Sequence, residues 1–164
     1  MRTLLRTLLY LALIVWLGAE IFFPIVAVVT FTTLRPDTHT AGMIVGQLLG
    51  ILHHMGLASG TLALFVLTPV WRLFKPRAVL APTCLLVVMI GLTLYSQFVI
   101  IPAMERDRIA VGGVIDAVDV ANPSRVDFEK LHSSSEHVEG AILLMGLATV
   151  VLVAWAETGK SSGQ

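Results

Sequence analysis

Residues 41–71 read AGMIVGQLLGILHHMGLASGTLALFVLTPVW, with no aspartate, glutamate, lysine or arginine from Ala41 to Trp71. A helix needs roughly 20 apolar residues to cross the hydrocarbon core of a bilayer, and this run is longer. Only helices and closed barrels satisfy every backbone hydrogen bond in lipid. A barrel strand alternates apolar and polar residues, and this run does not. It reads as a transmembrane helix.

Three further blocks flank it. Leu8 to Phe31 carries one charge, Glu20; Ala78 to Ala103 carries none; Gly140 to Ala156 carries none but is short, so its helix should begin upstream. The expected helices cover about 4–30, 41–70, 78–102 and 123–156, in a single domain spanning residues 1–164. The fold class is therefore all-α, a polytopic integral membrane four-helix bundle. Composition agrees: of 164 residues 56% are hydrophobic and 13% charged, and the mean hydropathy is +0.86. Soluble domains carry about 25% charged residues. The formal net charge is zero and there is no basic patch, which argues against a nucleic-acid partner. Cys84 is the single cysteine, so no internal disulfide forms. Arg2 and Arg6 precede the first block as in a signal peptide. However, an h-region is about 7–15 residues long. This block is longer and contains Glu20 and Pro24, so a retained span is expected.

Orientation follows from the basic residues. Arg2, Arg6, Arg72, Lys75, Arg77 and Lys160 lie on one side of the expected spans. On the other side Arg35 stands alone in one loop. In the second loop Arg106, Arg108, Arg125 and Lys130 are outnumbered by six carboxylates. The reading is a multi-pass protein of the cell inner (plasma) membrane with both termini cytoplasmic. Asn122 followed by Pro123 marks a helix start. Val111, Val114, Ile115 and Val118 have helical spacing across Gly112-Gly113, which suggests a short surface helix.

Polar residues inside these blocks are the candidates for function. Gly42, Gly46, Gly50 and Gly60 form a stripe with His53, the pattern of a helix-packing face; His54 points about a quarter-turn away. His132, Ser135, Glu136 and Glu139 stand at i, i+3, i+4 and i+7 on one side of the last helix. Two carboxylates and an imidazole there suit a divalent metal or a proton relay, or else a structural network with water. Counted from the expected boundaries, Glu20, His53 and Glu139 reach similar depths in the outer half of the bilayer, within reach of Ser96 and Gln97. Each of the four helices thus contributes to one polar layer.

Trp16-Leu17-Gly18-Ala19-Glu20 and Phe128-x-x-Leu131-His132-x-x-Ser135-x-x-x-Glu139 leading into Gly146-Leu147, with Ala41-Gly42, Gly46 and Pro102, resemble the transmembrane-protein-205-like family, in its bacterial branch. The resemblance covers nearly the whole chain. It implies four membrane helices and a domain of unknown function, with no established reaction. Glu139 departs from the family pattern, which has asparagine there in many members.

The leading expectation is a small membrane protein whose outer-half cluster of Glu20, His53, His132, Glu136 and Glu139 handles a metal ion or protons. A second is a non-catalytic accessory or scaffold subunit, in a homo-oligomer or a larger membrane complex. A third is a haem protein with His53 or His54 and His132 as axial ligands. Nothing points to an enzyme: Ser133, Ser134 and Ser135 have no base and orienting partner at hand. The basic-residue bias predicts that cysteines introduced at Ala117 or Ser124 react with an impermeant reagent added to intact cells. Labelling only after the cells are opened would reverse the orientation.

Overall fold

The computed structural model describes residues 2–71 and 76–158. Arg72 and Lys75 of the basic turn, and Lys160 of the tail, lie outside the described residues. The chain forms α1 (Arg2–Thr33), α2 (Thr38–Trp71), α3 (Pro76–Tyr95), a π-helical segment (Ser96–Ile100), α4 (Ile101–Ala110), a 3-10 turn (Ile115–Ala117) and α5 (Pro123–Thr158). α3, the π segment and α4 run on as one rod. Among the described residues four helices are long and apolar enough to cross a membrane: Thr3–Thr33, Thr38–Leu67, Val79–Ala110 and Pro123–Ala156. The described residues contain no sheet.

The helix ends follow from local chemistry. Pro36 lies in the turn after α1, and Asp37 Oδ1 accepts the Thr40 N–H at 2.9 Å, an N-cap for α2. Hydrogen bonds from the Thr40 side chain and backbone hold the Asp37 carboxyl below the ordinary carboxylate range. At α5, Asn122 Oδ1 accepts the Ser124 N–H at 3.0 Å, and its carbonyl accepts the Val126 N–H at 3.0 Å. Pro123 takes the first helical position, where its missing N–H leaves nothing unpaired. α5 is 36 residues long, roughly 54 Å at 1.5 Å per residue, and outruns the hydrocarbon core. The third rod also runs farther than its sequence suggests, through Pro102 to Ala110. Between Val111 and Val118 the expected surface helix shrinks to the 3-10 turn, because Gly112 and Gly113 adopt positive φ of 81° and 96°.

α1 packs chiefly on α2 and α3 on α5; α2 bridges to α3, and α1 touches α5. The tight apolar core lies at the end of the bundle that holds the chain termini. There Leu9, Leu13, Leu67, Leu86, Met89, Ile142 and Val153 are buried together. On the outside, Phe22, Phe65, Phe98, Leu144 and Trp155 are largely exposed, as expected of side chains that face lipid tails. Hydroxyls of Thr83, Thr93 and Thr149 each donate to a carbonyl four residues back, which pairs these O–H groups inside the bundle.

The tightest helix approach corrects the expected glycine seam. A Cβ at Gly42, Gly46 or Gly50 would meet nothing within 4 Å in this chain. At Gly56 it would stand 2.7 Å from Trp16 Nε1, and at Gly60 it would overlap the six-membered ring of Trp16. Trp16 is 1% exposed, and its indole is wide enough to fill the space that two glycines one turn apart leave on α2. Of the expected stripe, only Gly60 lies in this seam. Gly60→Ala should therefore lower the thermal midpoint in detergent, by an overpacking cost of about 1–3 kcal/mol. Gly46→Ala should leave it level or raise it, since alanine is the better helix former. The reverse order would place the seam at the loop end.

Candidate functional site

Just beyond the Trp16 contact, polar side chains from all the long helices converge. His53, on α2, is 1% exposed and is held from both sides. Its Nδ1 lies 2.8 Å from Gln97 Oε1, and its Nε2 lies 2.8 Å from Glu139 Oε1. Ser96 Oγ donates to the same Glu139 oxygen at 3.2 Å. On α1, Glu20 is 4% exposed and accepts the indole N–H of Trp16 at 3.1 Å. Glu20 is close enough to Glu139 and His53 to interact with the charge of each.

The backbone explains why Ser96 and Gln97 reach this layer. Proline at position 102 has no N–H for the carbonyl four residues earlier, and its ring crowds that carbonyl. The turn ahead of it widens into the π segment, where the Ile101 N–H bonds to the Ser96 carbonyl five residues back. Such single-turn bulges recur at functional sites because they re-aim side chains. Here the bulge places Ser96 and Gln97 against α2 and α5. Pro102 was the only sequence sign of it.

The orientation of the Gln97 amide sets where the protons of this pair can lie. With the Gln97 oxygen facing the ring, His53 Nδ1 carries hydrogen and donates. A proton shared between Nε2 and Glu139 can sit on the imidazole, giving an ion pair, or on the carboxyl, giving a neutral pair. The pair has no net charge in either form, which limits the cost of holding it in a low-dielectric interior. Glu139 Oε2 is also buried and accepts no hydrogen bond. An acceptor left so costs about 1–3 kcal/mol.

Toward the loops the centre opens into a cavity that the remaining sequence candidates line or flank. Glu20, Ser135, Glu136, Glu139 and His132 all line one large cavity that opens toward the loops, as do Gly42 and Gly46. His132 Nε2 and Glu136 Oε1 are 3.4 Å apart, but both side chains are more than half exposed. The His132 ring stacks on Phe128, with centroids 6.3 Å apart. His54 points away from the centre and bonds to the Gly50 carbonyl of its own helix. Among the described residues no three His, Cys, Asp or Glu side chains are grouped to hold a metal ion. No metal-holding cluster is therefore shown: both His53 nitrogens are hydrogen-bonded, and His132 and Glu136 sit farther toward the loops. Of the histidines named as haem ligands, His53 is held by Gln97 and Glu139, and His54 bonds to its own helix. Trp16 is the partner that sequence reasoning missed. It stands at i−4 from Glu20, a spacing that could have revealed it.

Fold and site together define a small polytopic helical membrane protein with a buried histidine–carboxylate layer. The chain belongs to the family described as Domain of unknown function (DUF4149), which matches residues 11–108. Glu20, His53, Ser96 and Gln97 fall within the matched region and Glu139 beyond it. No curated protein and no solved structure matches the chain.

Because His53 and Glu139 satisfy one another, removing one should harm more than removing both. His53→Leu should cost about 3–5 kcal/mol of unfolding free energy, the range for stranding one member of a buried pair. The double substitution with Glu139→Leu should recover a coupling of roughly 1–3 kcal/mol. Additive losses in detergent unfolding would show that the two side chains do not act as a pair.

Proposed function

We propose that this protein binds and releases protons within the membrane, at the layer formed by Glu20, His53 and Glu139. The observation that carries the reading is the imidazole held between Gln97 and Glu139 at 2.8 Å on either side. A proton can move between His53 Nε2 and Glu139 Oε1 without creating net charge, so the transfer avoids the cost of isolating an ion in lipid. Ser96 and Gln97 hold the two partners in line. Glu20 and Glu139 also line the cavity, which supports entry of protons from the loop end. Toward the termini the path ends on the buried core of Leu9, Leu13, Leu67 and Met89. This arrangement supports a proton-binding site open to one side rather than a continuous pore.

The basic residues near the termini support placing the cavity mouth on the outer face of the inner membrane. On that orientation the layer takes its protons from outside the cell. The resemblance to transmembrane-protein-205-like proteins implies no reaction and does not enter this reading.

Infrared difference spectroscopy of the protein in lipid, stepped from mildly acid to mildly alkaline pH, tests the proposal. A protonated-carboxyl stretch should appear and vanish with pH, and Glu139→Gln and Glu20→Gln should each remove part of it. A spectrum without such a band, or one unchanged by both substitutions, would overturn the reading.

A further inference from the structure

The cavity between the polar layer and the loops has a volume of ≈ 1070 Å³, at the upper end for a small-molecule site. Its walls are mostly apolar and include the rings of Phe23, Phe31 and Phe128 with the thioethers of Met43 and Met104. Five lining carboxylates stand against two arginines. One of those, Arg108, is tied to Glu105 by hydrogen bonds of 2.9 and 2.8 Å. The other, Arg35, lies beyond the end of α1, roughly 20 Å along the helix axis from Glu20. The inner end therefore presents the carboxyls of Glu20 and Glu139 with, among the described residues, His53 as their basic neighbour, and His53 is already paired. Carboxylates within low-dielectric walls concentrate a negative potential, and aromatic faces attract cations.

We propose that this cavity binds a lipophilic organic cation, its charge against Glu20 and Glu139 and its apolar body along the phenylalanine and methionine walls. The proposal rests on the reading that these carboxyls take up protons, and it names what competes with those protons. An ammonium ligand would also supply the hydrogen that Glu139 Oε2 lacks. When a cation enters against a protonated carboxyl, the proton leaves to the cavity water, so cation binding weakens as the pH falls. The groups facing this exchange are Glu20 on α1, His53 on α2 and Glu139 on α5. Nearer the mouth lie Arg35, His39, Asp116, the Glu105–Arg108 pair and the His132–Glu136 pair.

The test is equilibrium dialysis of tetraphenylphosphonium against the full chain in nanodiscs of uncharged lipid, with tetraphenylborate as the probe of the same shape and opposite charge. Saturable binding of the cation alone is expected, weakened about tenfold or more by Glu20→Gln or Glu139→Gln and reduced at acid pH. Glu105→Gln, at the mouth, should change it far less. Equal, non-saturating uptake of both probes would mean partition into an apolar surface and would overturn the proposal. Cation binding indifferent to both glutamine variants would overturn it as well. A carboxyl infrared band that titrates in the same nanodiscs without cation binding would sink this inference and leave the proton reading intact. Absence of both signals would remove the two together.

Discussion

A polar side chain in the hydrocarbon core has no water to fall back on, and every feature of this bundle near its centre answers to that constraint. The hydrogen bond between His53 and Glu139 is the main answer. It joins α2 to α5, two helices far apart in sequence, and Ser96 and Gln97 extend the same network to the third rod. Glu20 brings in α1 through its place beside the pair. The layer divides the bundle into two unlike halves, with a packed apolar core toward the termini and an open cavity toward the loops.

The half that is closed owes its closure to a large side chain set against small ones. Trp16 buries its ring against Gly56 and Gly60, which draws α1 onto α2, and its indole N–H reaches Glu20 one turn later. Packing and polar satisfaction are thereby coupled in one residue: displacing the ring would loosen the seam and strip the carboxyl of its donor. On the loop side of the layer the glycines of α2 meet no partner in this chain. There the cavity occupies the space bounded by α1, α2, α4 and α5.

The geometry of the layer supports the proposed proton chemistry, and among the described residues no three ligating side chains are grouped there. Both imidazole nitrogens are occupied, and the remaining candidates stand toward the mouth, where His132 and Glu136 are exposed. On the proposed reading, a site that shifts a proton between two groups without a change of net charge, open to one side through an acidic and apolar cavity, suits exchange between protons and other cations.

The sequence by itself determined the number of helices and their lipid-facing character, because the length and continuity of apolar runs suffice for that. It determined the cap at Asn122, which depends on neighbours two to four residues away. It also brought Glu20, His53 and Glu139 to similar depth, since depth is a matter of counting along each helix. Rotation about the helix axes and the separation between helices were decided only in three dimensions. They turned His53 toward Gln97 and Glu139, left His54 outside, confined the close approach on α2 to Gly60 of the expected glycine face and its neighbour Gly56, and set His132 and Glu136 apart from the centre. The widened turn ahead of Pro102 likewise shifted the register of the third rod. Facing depends on which side chains fill the space between helices, and that is a property of pairs far apart in sequence, which periodicity along a single helix does not encode.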